Sequence, residues 1–78
     1  MAMLEPDSFK KIEKDRSSIH EPVEATYSVF STEKTIFQID TYGSKGREYP
    51  GKTSQSLQMD KEMAKKLIEI LRKEFQLS

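Results

Sequence analysis

Eight consecutive residues of this 78-residue chain spell a nucleotide-binding signature. Residues 46–53 read Gly-Arg-Glu-Tyr-Pro-Gly-Lys-Thr and match the phosphate-loop pattern G-x-x-x-x-G-K-[ST] at every position. In a true phosphate loop a buried strand precedes the motif and a helix begins with it, so that backbone N–H groups face the phosphates. Here residues 54–58 alternate as a strand does, and the first helix signal is the later Asp60. We therefore predict that the match is coincidental and that the protein does not hydrolyse nucleotides.

The remaining residues of chemical interest do not form a catalytic or metal-binding pattern. His20 is the only histidine and the chain has no cysteine, so the usual nitrogen and sulfur ligands of a metal site are missing. Asp40 has no second acid at a suitable spacing, and Ser54 and Ser56 have no general base near them in the sequence. We predict no catalytic residue, no metal, no cofactor and no enzymatic activity.

Aromatic rings and cations are the residues that point to a function. Bases of a single strand stack on flat rings, each contact contributing ~1–3 kcal/mol, while lysines and arginines meet the phosphates. The alternative interpretation is sheet packing beside a solvated loop. The candidate nucleic-acid-binding residues are Phe30, Lys34, Tyr42, Lys45, Arg47 and Lys52, with Tyr49 as a further ring.

The charge of the chain is balanced overall but uneven along it. The chain has thirteen basic and thirteen acidic residues, and this balance counts against a nucleic-acid function. Residues 1–24 carry four basic and six acidic groups, a net of −2, whereas residues 45–52 carry a net of +2. Since phosphate binding depends on the local potential, the basic segment keeps that function open. No segment is apolar enough for a membrane span or a signal peptide, so we expect a cytoplasmic or nucleoid-associated protein.

Hydrophobic periodicity predicts an α+β fold. Residues 25–30, 36–42 and 53–59 alternate as strands and are joined by a turn at residues 31–34 and by a glycine-containing loop. They form an antiparallel β-meander of three to four strands. Apolar residues at helical spacing then predict one amphipathic helix at Lys61–Phe75, with Asp60 as its N-cap.

The N-terminal third is mostly polar and reads as a separate segment. We predict a polar arm at residues 1–24 and a meander-plus-helix unit at residues 25–78. Phe9 and Ile12 allow either a short edge strand or a helical turn at residues 8–13 of the arm. Because 78 residues with 35% apolar content bury only a thin core, we expect a homodimer.

Strand alternation separates the predicted sheet into two faces. One face is apolar and suits the helix; it comprises Ala25, Tyr27, Val29, Phe37, Ile39, Leu57 and Met59. The other is polar and mostly uncharged; it comprises Thr26, Ser28, Phe30, Ile36, Gln38, Asp40, Tyr42, Ser54, Ser56 and Gln58. One helix covers one face, so the polar face is solvated, buried in a dimer or used for binding.

The segment from Ile36 to Leu57, with its flanking elements, resembles the positive cofactor four family of transcriptional coactivators and its bacterial and phage relatives. The resemblance is carried by a strand ending in an aromatic residue, a polar loop leading to Pro-Gly and basic residues, a Ser-Leu strand and one helix. The matching residues are Ile39, Tyr42, Pro50, Gly51, Lys52, Thr53, Ser56 and Leu57, with the preceding hairpin at residues 27–34.

The resemblance implies a curved four-stranded antiparallel sheet and a dimer paired through its helices. It also implies binding of single-stranded DNA without strong sequence preference, with Phe30 as a stacking ring and with Lys34 and Lys52 at phosphates. We therefore expect a non-enzymatic single-stranded nucleic-acid-binding protein with a role in transcription or DNA handling. The alternative is a small protein–protein interaction module, an adaptor or inhibitor, that uses the uncovered sheet face.

Overall fold

A computed structural model describes residues 1–14, 18–43 and 53–78 of the chain. Within these ranges it contains four strands, one 3₁₀ turn and one α-helix. The elements in chain order are β1 at Ala2–Met3, the 3₁₀ turn at Pro6–Ser8, β2 at Ala25–Ser31, β3 at Thr35–Tyr42, β4 at Thr53–Met59 and α1 at Lys61–Phe75. The predicted α+β class, a sheet followed by a C-terminal helix, is confirmed.

Strands β2, β3 and β4 form the predicted antiparallel meander. Their alternating β-branched and aromatic residues suit a pleated, half-buried surface. The connection at residues 32–34 closes the β2–β3 hairpin, and β2 pairs with β3 along its whole length. The β3–β4 register shifts between Thr41 and Tyr42, which places Tyr42 opposite Thr53.

The fourth strand differs from the prediction in both place and direction. β1 pairs with β4 in parallel, with Ala2 opposite Leu57, so the strand order is β1-β4-β3-β2 and the sheet is mixed. Residues 8–13, the predicted edge strand, contain no strand. The prediction of a wholly antiparallel sheet was therefore wrong. A strand of two residues has no visible alternation, and its pairing with a strand more than fifty residues later leaves no local signal.

Helix α1 begins and ends at side-chain and backbone caps. Asp60 is extended and its Oδ1 accepts a hydrogen bond of 3.0 Å from the backbone N–H of Met63, as predicted for an N-cap. Gln76 adopts the left-handed conformation at φ 54°, and the N–H of Leu77 donates to the carbonyl of Arg72 at 2.9 Å. This is the hydrogen bond that closes a Schellman motif and satisfies one of the last carbonyls of a helix.

The apolar core of the described chain is small. Ile36, Met59 and Met63 are its buried hydrophobic residues. They come from the start of β3, the end of β4 and the first turn of α1, which meet at one end of the sheet. The core therefore holds the helix to the sheet at that end.

The N-terminal segment is attached to both the sheet and the helix. The N–H of Leu4 donates to the carbonyl of Gln58 at 2.8 Å, continuing the line of β1. Further along the segment, Lys66 of α1 donates its Nζ to the carbonyl of Pro6. This segment thus bridges β4 and α1.

The apolar face defined above is mostly open. Tyr27 and Val29 are 70% and 56% exposed, although the ring of Tyr27 stacks on Phe37 at 5.3 Å between centroids. Helix α1 contacts β4 and the 3₁₀ turn, and the end of the face at Met59 is buried. The expectation that the helix covers this whole face is therefore wrong for β2. The helix starts at the end of β4, and its buried residue, Met63, lies in its first turn.

Candidate nucleic-acid interface

The polar face carries a chain of side-chain hydrogen bonds across β3 and β4. The amide of Gln58 donates its Nε2 to Oε1 of Gln38 at 2.7 Å, and Gln38 donates its own Nε2 to Oδ1 of Asp40 at 2.9 Å. Ser56 donates its hydroxyl to the same Oδ1. Strand pairing explains these contacts, because Gln58 lies opposite Gln38 and Ser56 opposite Asp40 on one face. The network holds four side chains in fixed positions at the centre of the sheet.

Asp40 is the only charged residue on the polar face within the described residues, and its two oxygens differ. Both hydrogen bonds that Asp40 accepts from described side chains end at Oδ1. No hydrogen bond to Oδ2 is found in the described part of the chain, and no half-buried side chain there has a fully enclosed polar atom without a partner. Among the described residues Oδ2 therefore has no hydrogen-bond donor, and as a carboxylate oxygen it can accept a hydrogen bond from a ligand.

The two predicted rings of this face lie near its opposite ends. Phe30, near the end of β2, is 40% exposed and pairs with Ile36 at the start of β3. Tyr42 ends β3 and is half-buried, with its hydroxyl 2.8 Å from that of Thr26. Six residues of strand separate the Ile36 and Tyr42 positions, a span of about 20 Å. A single strand laid along β3 can therefore meet a ring at either end.

Of the four predicted cations, Lys34 is the one whose position is described. Its Nζ lies 3.2 Å from Oδ2 of Asp60, and its side chain is still largely exposed. The backbone N–H of Met63, and after it the ammonium of Lys34, hold the pKa of the Asp60 carboxyl below its ordinary value. Lys34 thus lies in the connection between β2 and β3, with its ammonium at the N-cap of α1. The other three, Lys45, Arg47 and Lys52, lie outside the described residues.

Two adjoining cavities open on the polar face. One of about 280 Å³ is lined by Met1, Gln38, Asp40 and residues 53–56. The other, of about 180 Å³, is lined by residues 1–3, Ser56 and Gln58. Their shared wall is formed by Met1 and Ser56, so the depression runs along β4 between β1 and β3.

The phosphate-loop match does not have the context that its chemistry requires. Residues 46–52 lie outside the described part of the chain, but the final Thr53 begins strand β4. A phosphate loop needs a helix N-terminus at that point. The described helix begins eight residues later, at Lys61. The prediction that the motif is coincidental is consistent with this placement.

The described residues offer little for other kinds of site. His20 is exposed, and no group of three histidine, cysteine, aspartate or glutamate residues in the described ranges is arranged to hold a metal ion. No helix in those ranges is both long and apolar enough to cross a lipid bilayer.

Sequence reasoning missed the network centred on Asp40. Asp40 lacks a partner acid, and Ser56 lacks a base, so neither fits a catalytic pattern. Strand alternation does put both on the polar face, together with Gln38 and Gln58. The cross-strand register is what brings them into hydrogen-bonding distance, and it depends on the pairing of two separate strands.

No protein-family model, curated protein or solved structure matches this chain. The resemblance to the positive cofactor four family therefore stays a prediction from the residues that carry it. The function must be inferred from the geometry of the polar face and from the exposed apolar surface.

Proposed function

We propose that this protein binds single-stranded nucleic acid, DNA in the first instance, as a homodimer and without catalysing a reaction. A role in transcription or DNA handling follows from such binding. The observation that carries the proposal is the polar face of the sheet, which is buried at Ile36 and Ser56 but has a partly accessible ring near each end, at Phe30 and Tyr42.

The chemistry of that face suits unpaired bases. Its side chains are hydroxyls and amides, which hydrogen-bond to base edges, and its rings offer stacking surfaces. Because Gln38, Gln58 and Ser56 are held by one another and by Asp40, they lose little freedom when a strand binds. Preorganisation of this kind favours binding over an ordinary solvated face.

Cations near the face supply the attraction for phosphates. Lys34 follows Phe30 by four residues in the sequence, and its side chain is largely exposed. The loop at residues 45–52, with its net charge of +2, joins β3 to β4 at the Tyr42 end. A strand stacked on both rings therefore has positive charge near both ends of its path.

The homodimer is supported by the apolar surface that one chain leaves open. The exposed apolar side chains include Tyr27, Val29, Leu57, Ile68, Leu71 and Phe75, from 39% exposed at Leu57 and Leu71 to 71% at Phe75. A small domain that leaves this much apolar surface uncovered commonly pairs with a second copy.

The second half of α1 is the best-placed part of that surface. Ile68, Leu71 and Phe75 lie on its apolar side and are exposed, with Phe75 at 71%. The open apolar face of the sheet adds Tyr27 and Val29. Pairing of two copies through these residues leaves the polar face, on the other side of the sheet, free for a strand.

A binding assay with charge variants tests the proposal. Fluorescence anisotropy with a labelled single-stranded oligonucleotide is expected to show binding, and Lys34→Ala combined with Lys52→Ala is expected to weaken it at least tenfold. Lys65→Ala combined with Lys73→Ala is the matched control, because both residues lie on the polar side of α1. Equal affinity of the two double variants would show that the proposed phosphate contacts are not made.

A second candidate function is supported by the exposure of β2. Among the described strands β2 is an edge of the sheet, all seven of its residues are exposed, and none is charged. Such an edge can pair with a strand of another protein. An adaptor or inhibitor of this kind predicts a protein partner whose complex survives nuclease treatment, whereas the leading proposal predicts a complex that nuclease destroys.

A further inference from the structure

The network on the polar face fixes a carboxylate oxygen, Oδ2 of Asp40, to which no described residue donates a hydrogen bond. Asp40 sits on β3, a central strand of the sheet, between Thr26 of β2 and Ser56 of β4. Gln38 and Ser56 both donate to Oδ1 and so fix the carboxylate, while Oδ2 receives no donor from the described residues. The same carboxylate lines the larger cavity of the face.

The cavity is of a size for one small planar group. Its volume is about 280 Å³, just below the ~300–1,000 Å³ of pockets that take drug-sized ligands. Its other walls are Gln38, Met1 and residues 53–56, which are mostly hydroxyl and amide side chains. A phosphate is excluded as the occupant because a carboxylate repels it, so the occupant of this cavity is a base rather than the strand backbone.

The carboxylate also selects among the bases. A carboxylate oxygen only accepts hydrogen bonds, so it favours a base edge with N–H donors and disfavours one with a ring nitrogen or carbonyl acceptor. Adenine, cytosine and thymine each show a donor beside an acceptor on the edge used for pairing. Guanine alone shows two adjacent donors, the N1–H and the N2 amino group, which one oxygen can receive together.

We propose that this cavity is a guanine subsite in which Oδ2 of Asp40 accepts hydrogen bonds from the N1–H and N2 amino group of an unpaired guanine base. The inference rests on the proposed function, since it assigns a base preference to the same polar face. The polar face then selects the base at one position of the bound strand, while the neighbouring bases stack on its rings without sequence preference.

Asp40→Asn isolates the proposed contact. Asparagine keeps an oxygen that accepts from Gln38 and Ser56 and replaces the free oxygen with an amino group, which donates. The measurement uses thymine oligonucleotides that carry one central guanine, adenine or cytosine. In a uniform thymine background the strand can slide until its single different base reaches the subsite, so the ratio of affinities reports selection there.

For the natural protein the guanine oligonucleotide is expected to bind roughly tenfold more tightly than the adenine one. Asp40→Asn is expected to abolish or reverse that ratio. Glu69→Gln removes one negative charge from an exposed position on α1 and is expected to leave the ratio unchanged. Because a ratio is compared within each variant, any general effect of the lost charge cancels.

Three other outcomes overturn the proposal in distinguishable ways. Equal binding of all the oligonucleotides by the natural protein removes the guanine subsite but leaves the proposed function standing. A guanine preference that survives Asp40→Asn places the selection elsewhere on the protein. Absence of binding to every oligonucleotide removes both the subsite and the function. Circular dichroism of Asp40→Asn shows whether the variant is folded, and a structural role for Asp40 alone would lower its melting temperature without changing the ratio.

Discussion

Phe30 is the residue whose removal is expected to weaken strand binding most clearly. It is the more exposed of the two rings on the polar face, and a base stacked on an aromatic ring contributes ~1–3 kcal/mol. We predict that Phe30→Leu weakens binding of a labelled single strand about tenfold or more, measured by anisotropy. Phe30→Tyr keeps the ring and serves as the control, with affinity expected within a few-fold of the natural protein. Equal losses in both variants would argue against stacking.

Asp60 links the stability of the protein to pH. Its pKa is lowered in the folded state by the backbone N–H of Met63 and by Lys34, so the folded state holds a proton less readily than the unfolded state. The stability from these contacts is therefore complete above the unfolded pKa and is lost as the pH falls through the folded pKa, which lies below the ordinary value of an aspartate.

Asp60→Asn separates the charge of this residue from its capping role, because asparagine caps a helix about as well. We predict that the melting temperature of the natural protein falls more steeply below about pH 4 than that of Asp60→Asn, followed by circular dichroism. Parallel curves for the two proteins would contradict the prediction. Asp60→Ala loses the cap as well and is expected to melt at a lower temperature at pH 7.

The side chains of the candidate interface could be predicted from the sequence only as members of a face. Alternation correctly places Phe30, Tyr42 and Asp40 on the polar side of the sheet. It does not show that both of the donors found for Asp40 reach one oxygen, since this depends on the rotamers of Gln38 and Ser56. The network therefore cannot be predicted until the cross-strand register and these rotamers are known.

At the scale of elements, the contact between α1 and the sheet depends on very few side chains. Met63 is the largest fully buried residue, and it lies in the first turn of the helix. We predict that Met63→Ala destabilises the fold by ~2–5 kcal/mol, because truncation of a buried methionine leaves a cavity. Met63→Leu conserves most of the volume and is expected to cost less than about 1.5 kcal/mol. Urea unfolding of both variants measures the difference, and similar losses would mean that the site tolerates repacking.

The elements that the sequence predicted well are those with a local signal. The three meander strands and α1 each carry a periodic pattern and a turn or cap, and each is found within a residue of its predicted bounds. The elements it missed depend on distant partners. β1 has two residues and forms only against β4, and Phe9 and Ile12 suggested a strand at residues 8–13 that does not form.

For the whole molecule, we expect a second copy of the chain to cover the exposed apolar side of α1 and of the sheet. Sedimentation or light scattering is expected to give twice the chain mass of 9.1 kDa. Ile68→Asp combined with Leu71→Asp places two charges on the exposed apolar side of α1 and is expected to yield the monomer mass. Lys65→Asp is the control on the polar side of the same helix and is expected to stay dimeric. A monomeric natural protein would remove the dimer from the proposal.

The proposal that this protein binds single-stranded nucleic acid through phosphate contacts is tested by the salt dependence of binding. The natural protein is titrated against a labelled thymine oligonucleotide at increasing salt concentration, beginning at low ionic strength where phosphate contacts are strongest. If Lys34, Lys45, Arg47 and Lys52 each neutralise a phosphate, the logarithm of affinity falls with the logarithm of salt with a slope of about −3 per subunit. Absence of binding at the lowest salt, or binding that does not change with salt, would contradict the account.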